Sequence, residues 1–153
     1  MARDKEVLRA LTILLKSSGS VTNMLKKDMQ SYGLNPTEFT VMEVLFNKGE
    51  QPIQIIGNKV LLASSSITYV IDQLEKKNLV ERKVNEKDRR VTLVSLSEEG
   101  NALMEEIFPQ HTAVIEEVFS DISDEDLQTL SKNMKSIGYK AVDLVENDID
   151  KGS

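Results

Sequence analysis

Residues 64–96 read SSSITYVIDQLEKKNLVERKVNEKDRRVTLVSL, and the reading of this stretch decides the fold. Ile67, Val70, Ile71 and Leu74 recur at the i, i+3, i+4, i+7 spacing that lays one apolar stripe along a helix. Asn78, which tolerates the left-handed backbone conformation, closes that helix. Two β-type runs follow, residues 79–84 and 91–96, separated by the polar tip Asn85-Glu86-Lys87-Asp88-Arg89-Arg90. A helix leading into a two-stranded ribbon with a basic tip has the shape to put the helix in one DNA groove and the tip in the next.

Working outward, residues 5–32 predict a long helix. Val7, Leu8, Leu11, Leu14 and Leu15 form its stripe, and Val21, Met24, Leu25 and Tyr32 resume it after the interruption Ser17-Ser18-Gly19-Ser20. Gly33 and Leu34 make a stop signal. In the next helix Asn35 is placed to cap, Pro36 suits the first turn, and Glu38 stands three residues on for the reciprocal bond. Phe39, Met42, Leu45 and Phe46 form its inner face, and Gly49 ends it. An extended link at Gln51-Pro52-Ile53 and a brief helix over residues 54–62 lead back to the serines.

Downstream, Ser97 caps a helix that carries Glu98 and Glu99 in its first turn, where the dipole favours them. Pro109 is expected to kink it. Ser123 starts a last helix whose Leu127, Leu130, Met134, Ile137, Ala141 and Leu144 make a seam that wants a partner helix.

The totals narrow the function classes. With 153 residues, 40% apolar and 29% charged, the chain fits an ordered protein with a core of its own. No apolar run approaches the roughly 18 residues that span a bilayer, and the charged N-terminus lacks a signal-type core, so the expected location is cytoplasmic. There is no cysteine and a single histidine, His111. Disulfides, a metal site and a cofactor are therefore not expected. The absence of a glycine-rich phosphate loop or a nucleophile array speaks against an enzyme.

The formal net charge of −6 is unevenly spread. Six basic residues face three acidic ones up to Gly33, nine face eight from Leu34 to Ser97, and four face fourteen from Glu98 onward. Phosphate responds to potential within about 10 Å at 0.1 M salt, so the acidic total describes the C-terminal third and not the ribbon.

Three short helices followed by a hairpin is the winged helix-turn-helix pattern, a mainly α (α+β) class. The order Leu74-Glu75-Lys76-Lys77-Asn78-Leu79-Val80-Glu81-Arg82, then Asp88-Arg89-Arg90, then Val94-Ser95-Leu96-Ser97-Glu98-Glu99-Gly100 resembles the MarR family of bacterial transcription regulators. The resemblance implies an N-terminal dimerisation helix over 1–33, a DNA-binding domain over 34–97, dimerisation helices over 98–146 and a polar tail over 147–153. It implies a homodimer joined through Leu8, Leu11, Leu15, Leu130, Met134, Ile137, Ala141 and Leu144. It also implies a crevice for a small aromatic or phenolic effector. Candidate wall residues are Met24, Tyr32, Phe39, Met42, Phe46, Phe108 and His111, for each of which plain core packing is the competing assignment.

For double-stranded DNA the wing supplies Arg90, with Arg89 and Lys87 beside it, to enter a minor groove whose narrow A·T tracts concentrate negative potential. Asp88, as the resemblance implies, holds an arginine of the tip. Arg82 and Lys83 are weaker candidates for backbone phosphates. The recognition helix offers Ser64, Ser65 and Ser66 to phosphates, Gln73 to adenine, and Thr68 or Tyr69 to a thymine methyl. Many relatives carry an arginine at the position of Tyr69 or Gln73. Its absence here, with no bidentate guanine contact, predicts an A·T-leaning operator. The two-fold pairing makes the expected operator pseudo-palindromic, and the protein that binds it is expected to be a repressor. The alternative is a protein-interaction module that recruits a partner through the acidic C-terminal helices.

Overall fold

The computed structural model describes residues 2–59 and 66–151, so Ser64 and Ser65 lie outside the described residues. The elements run α1 (Ala2–Ser31), α2 (Pro36–Lys48), β1 (Gln51–Pro52), α3 (Ile53–Lys59), α4 (Ile67–Lys76), β2 (Val80–Val84), β3 (Thr92–Leu96), α5 (Glu98–Val118) and α6 (Asp124–Lys151). Together they form a mainly helical winged helix-turn-helix protein. The chain divides into two compact units, Met1–Thr112 and Ala113–Ser153.

In the first unit the core draws on every layer. Phe39, Val41 and Met42 of α2, Ile56 of α3, Ile71 and Leu74 of α4, Val94 of β3 and Met104 of α5 are all fully buried. Local chemistry sets the helix ends. The side chain of Asn35 accepts the Glu38 N–H at 2.8 Å while Glu38 Oε1 accepts the Asn35 N–H at 3.0 Å. Gly33 and Gly49 end α1 and α2 with φ of 79° and 78°, values a side chain would resist. The serine-rich interruption does not break α1; the Ser17 hydroxyl bonds back to the Ile13 carbonyl at 2.6 Å and the helix runs on.

In the expected extended link, Gln51 and Pro52 pair as a third strand, and Ile53 begins α3. The sheet has the order β1-β3-β2, antiparallel throughout, with Gln51 opposite Val94 and Arg82 opposite the same Val94 on the other side. Pro52, which has no N–H to donate, sits on an edge strand, where that loss is tolerated.

Between α4 and α5 the chain makes a tight joint. Asn78 adopts φ 62°, and the Leu79 N–H returns to the Leu74 carbonyl at 3.0 Å. Ser97 then ties the far end of the ribbon to the same turn. Its N–H reaches the Leu79 carbonyl at 3.0 Å, its hydroxyl donates to the Asn78 carbonyl at 2.6 Å, and it accepts the Gly100 N–H at 2.9 Å. Gly100 is buried against this turn, and a Cβ there would overlap the Leu79 carbonyl oxygen.

Helix α5 continues through Pro109. In the second unit, Ser123 Oγ accepts the Asp126 N–H at 3.1 Å and opens α6. Residues 147–151 of the expected polar tail continue α6, and none of them is glycine or proline. No helix among the described residues is long and apolar enough to cross a membrane.

The joint makes a measurable demand. Gly100→Ala should lose about 1–3 kcal/mol of unfolding free energy in urea, the usual cost of overpacking, or more because the obstacle is backbone. Gly57→Ala, whose new methyl would meet Ile67 Cγ2 at an ordinary 3.6 Å, should instead gain up to about 1 kcal/mol of helix preference. Equal effects at the two positions would contradict the close approach.

Candidate nucleic-acid interface

The wing tip is folded by its own polar groups. Asn85 N–H bonds the Val91 carbonyl, Val91 N–H bonds the Asp88 carbonyl, and Asn85 Oδ1 accepts the Lys87 N–H, each at 3.0 Å. Asp88 then holds Arg90 as a fork: Oδ1 accepts the backbone N–H at 3.1 Å and Nε–H at 3.0 Å, and Oδ2 accepts Nη2–H at 3.2 Å. These side-chain and backbone bonds from Arg90 hold the Asp88 carboxyl below its ordinary pKa. The Arg90 side chain nevertheless remains 90% exposed, so the fork fixes its direction without hiding it. Lys87 and Arg89 are exposed beside it.

On α4 the apolar period turns Val70, Ile71 and Leu74 inward and leaves Thr68 and Tyr69 exposed, with Gln73 half-buried. Ser66 precedes the helix and is exposed; its carbonyl takes the Val70 N–H at 3.1 Å, while its hydroxyl makes no capping bond. The other end of α4 is tied to α2 by Lys77 Nζ, 2.8 Å from the buried Glu38 carboxylate. Arg82 and Lys83, candidates for phosphate contact, both face carboxylates of the fold. Arg82 Nη2 lies 2.5 Å from Asp72 and 3.3 Å from the Thr68 carbonyl, and Nη1 lies 3.7 Å from Glu75. Lys83 Nζ lies 3.7 Å from Glu50.

Of the candidate effector residues, Tyr32, Phe39, Met42, Phe46, Phe108 and His111 come together in the first unit as packed side chains. Phe39 and Met42 have no exposed surface, His111 is buried, and Met24, Tyr32, Phe46 and Phe108 are partly so. Ring contacts run from Tyr32 to Phe39 (6.0 Å), Phe39 to His111 (4.4 Å), His111 to Phe108 (6.3 Å) and Phe108 to Phe46 (5.5 Å). Inside this aromatic shell lies a polar cluster that the sequence reading missed. His111 Nδ1 is 2.6 Å from Asp28, Tyr32 donates to the other Asp28 oxygen at 2.8 Å, and Glu43 lies 3.8 Å from His111 Nε2. Burial, then the hydrogen bond to Asp28 and its charge, pushes the Tyr32 phenol up to about 12. The available signal was an acid four residues before Tyr32, among Met24, Leu25 and Met29, on a face that should be apolar.

The MarR family model matches residues 34–92, from the start of α2 to the base of the wing. The chain is 44% identical over 134 residues to the HTH-type transcriptional regulator MhqR of Bacillus subtilis (strain 168), covering 88% of this chain and 92% of that protein. It is 34% identical over 145 residues to YkoM, an uncharacterized HTH-type transcriptional regulator of the same organism, covering 93% and 94%. Among solved structures it resembles AbsC, a MarR family transcriptional regulator from Streptomyces coelicolor. That match has a TM-score of 0.79 at 27% identity and covers 88% of this chain and 93% of that one. With this fold, an exposed wing arginine and relatives aligned over most of their length, the chain belongs to the MarR family of DNA-binding transcription regulators and not to a family of enzymes.

Proposed function

We propose that this regulator is a homodimeric repressor of a pseudo-palindromic, A·T-leaning operator, and that a small aromatic or phenolic ligand releases it. The observation that carries the DNA reading is Arg90, aimed outward by Asp88 from a tip that also bears Lys87 and Arg89. A guanidinium held outward loses little conformational freedom when it enters a minor groove, and narrow A·T tracts attract it most. Thr68, Tyr69 and Gln73 on α4 suit adenine and thymine methyl edges, while phosphate contacts set the register. Repression by occupying the operator needs nothing beyond this head and its pairing.

Pairing is supported by apolar surface that is exposed among the described residues. Leu8 and Leu15 on α1 are each 63% exposed, and Leu11 lies between them. On α6, Ile137 and Leu144 are each more than half exposed, with Leu130, Met134 and Ala141 on the same helix. Stripes of this extent mark interaction surfaces. A second copy is the simplest occupant, because a two-fold axis places two reading heads about 34 Å apart, one turn of DNA.

Ligand release is supported by the shell around His111. It offers aromatic walls with a polar centre, and Phe39, Met42 and His111 are buried within it. A ligand that reached His111 would have to part the Asp28–His111–Tyr32 cluster, which would couple binding to a change of shape.

Selection of bound duplexes from a random pool tests the whole reading. Arg90→Ala should weaken binding to every selected sequence and reduce the salt slope by about one phosphate. Gln73→Ala should change the preferred bases and leave the slope alone. An unchanged affinity for Arg90→Ala would remove the wing from the interface. Leu11→Glu with Ile137→Glu should sediment as a monomer where the parent sediments as a dimer.

The polar cluster has its own signature in alkali. A phenol whose folded pKa is raised from 10 to about 12 stabilises the fold fully below pH 10 and loses that contribution as pH climbs to 12. The phenolate absorbance of the parent minus that of Tyr32→Phe should therefore have its midpoint near 12. Asp28→Asn should bring that midpoint down toward the ordinary range.

A further inference from the structure

Arg82 lies at the base of the wing and was expected to meet phosphate, but its surroundings give it another task. On β2 the strand period puts Val80 and Arg82 on one face, and both Val80 and Val94, the residue opposite Arg82, are buried in the core. The stem of Arg82 follows them inward far enough that Nε is inaccessible and has no hydrogen-bond partner. Its head then turns onto α4 and meets the Thr68 carbonyl, Asp72 and Glu75, at 3.3, 2.5 and 3.7 Å. Positions 68, 72 and 75 follow the i, i+4, i+7 course of one helix face, so a single guanidinium spans two turns of the recognition helix. Two carboxylates already neutralise it.

We propose that Arg82 is a positioning residue for DNA specificity, one that sets the tilt of α4 against the wing and makes no phosphate contact of its own. The C-terminal end of α4 is already held by the Lys77–Glu38 pair and by the left-handed turn at Asn78. Arg82 provides a further hold along the flank, and that hold comes from the wing itself. It thereby fixes where Thr68, Tyr69 and Gln73 stand at the moment Arg90 occupies the neighbouring groove. Thr68 and Gln73 sit at or beside the very residues Arg82 grips. Lysine is a poor substitute, because a point charge lacks the planar fork that meets three acceptors at once.

This assignment rests on the DNA reading above, and the experiment separates the two. Parent, Arg82→Gln, Asp72→Asn and the double variant are each put through duplex selection, and the affinity for the parent's selected duplex is measured against salt. The expected result is that both single variants shift the selected bases at the same half-site positions. They should bind the parent's duplex more weakly, on the order of tenfold. The double variant should lose no more than Arg82→Gln alone, since that change already removes the contact that Asp72→Asn breaks. The salt slope of Arg82→Gln should match the parent's.

A slope reduced by about one in Arg82→Gln but not in Asp72→Asn would make Arg82 a phosphate contact and overturn the proposal. Unchanged base preference in Asp72→Asn, a change at a surface carboxylate, would overturn it even if Arg82→Gln failed to fold. A parent that selects no duplex would overturn the DNA reading itself, and this assignment with it.

Discussion

The carbonyl oxygen of Leu79 stands where a side chain at position 100 would have to be, and the reading head is built around that contact. Because Gly100 brings the first turn of α5 against backbone, no rotamer can absorb a displacement between the two. Asn78 in its left-handed turn and Ser97 with its three hydrogen bonds close the same joint from either side. The C-terminal end of α4, the start of β2 and the start of α5 are therefore locked to one another. A shift of the first turn of α5 would bear directly on the end of the recognition helix, because close-packed joints transmit displacement where loose ones absorb it.

Electrostatics divides the basic residues of the head into those that build it and those that face outward. Lys77 answers Glu38, Arg82 answers Asp72 and Glu75, and Lys83 faces Glu50. Each pair joins α2 or α4, or the turn between α2 and β1, to a neighbouring element. Arg90 also has a carboxylate partner, yet Asp88 lies two residues away on the same turn, so that pair orients one side chain without joining elements. The sign of the chain's net charge is thus a poor guide to what its wing can bind. Direction and exposure of a few guanidinium groups decide it.

Most of the architecture was legible in the sequence because its signals are local. The Asn35–Glu38 capping box, the Asn78 turn and the apolar period of α4 each involve residues within a few positions of one another, and each is found where the spacing put it. The third strand escaped notice because two residues carry no period, and only the free edge of β3 gives Gln51 and Pro52 a partner. The geometry of the wing tip was legible for the same local reason. The contacts of Arg82 were not, since they are made to carboxylates ten and seven positions earlier, on another element. Asp28 was missed because its partner lies 83 residues away on α5.

That long-range pair bears on how a signal enters the head. A buried carboxylate and imidazole are a doubtful source of stability, since desolvating both costs about as much as their attraction returns. What the cluster does provide is a specific attachment: Asp28 and Tyr32 at the end of α1, Glu43 and Phe39 on α2, Phe108 and His111 on α5 meet at one place. These helices are the neighbours of the two rigid ties to α4, one through Glu38 and one through Gly100. Under the proposed release, an aromatic guest that separated the rings would loosen α1 and α2 from α5 and leave both ties intact, so the reading head would move with its internal geometry kept. In the proposed dimer such a move would break register with the second half-site.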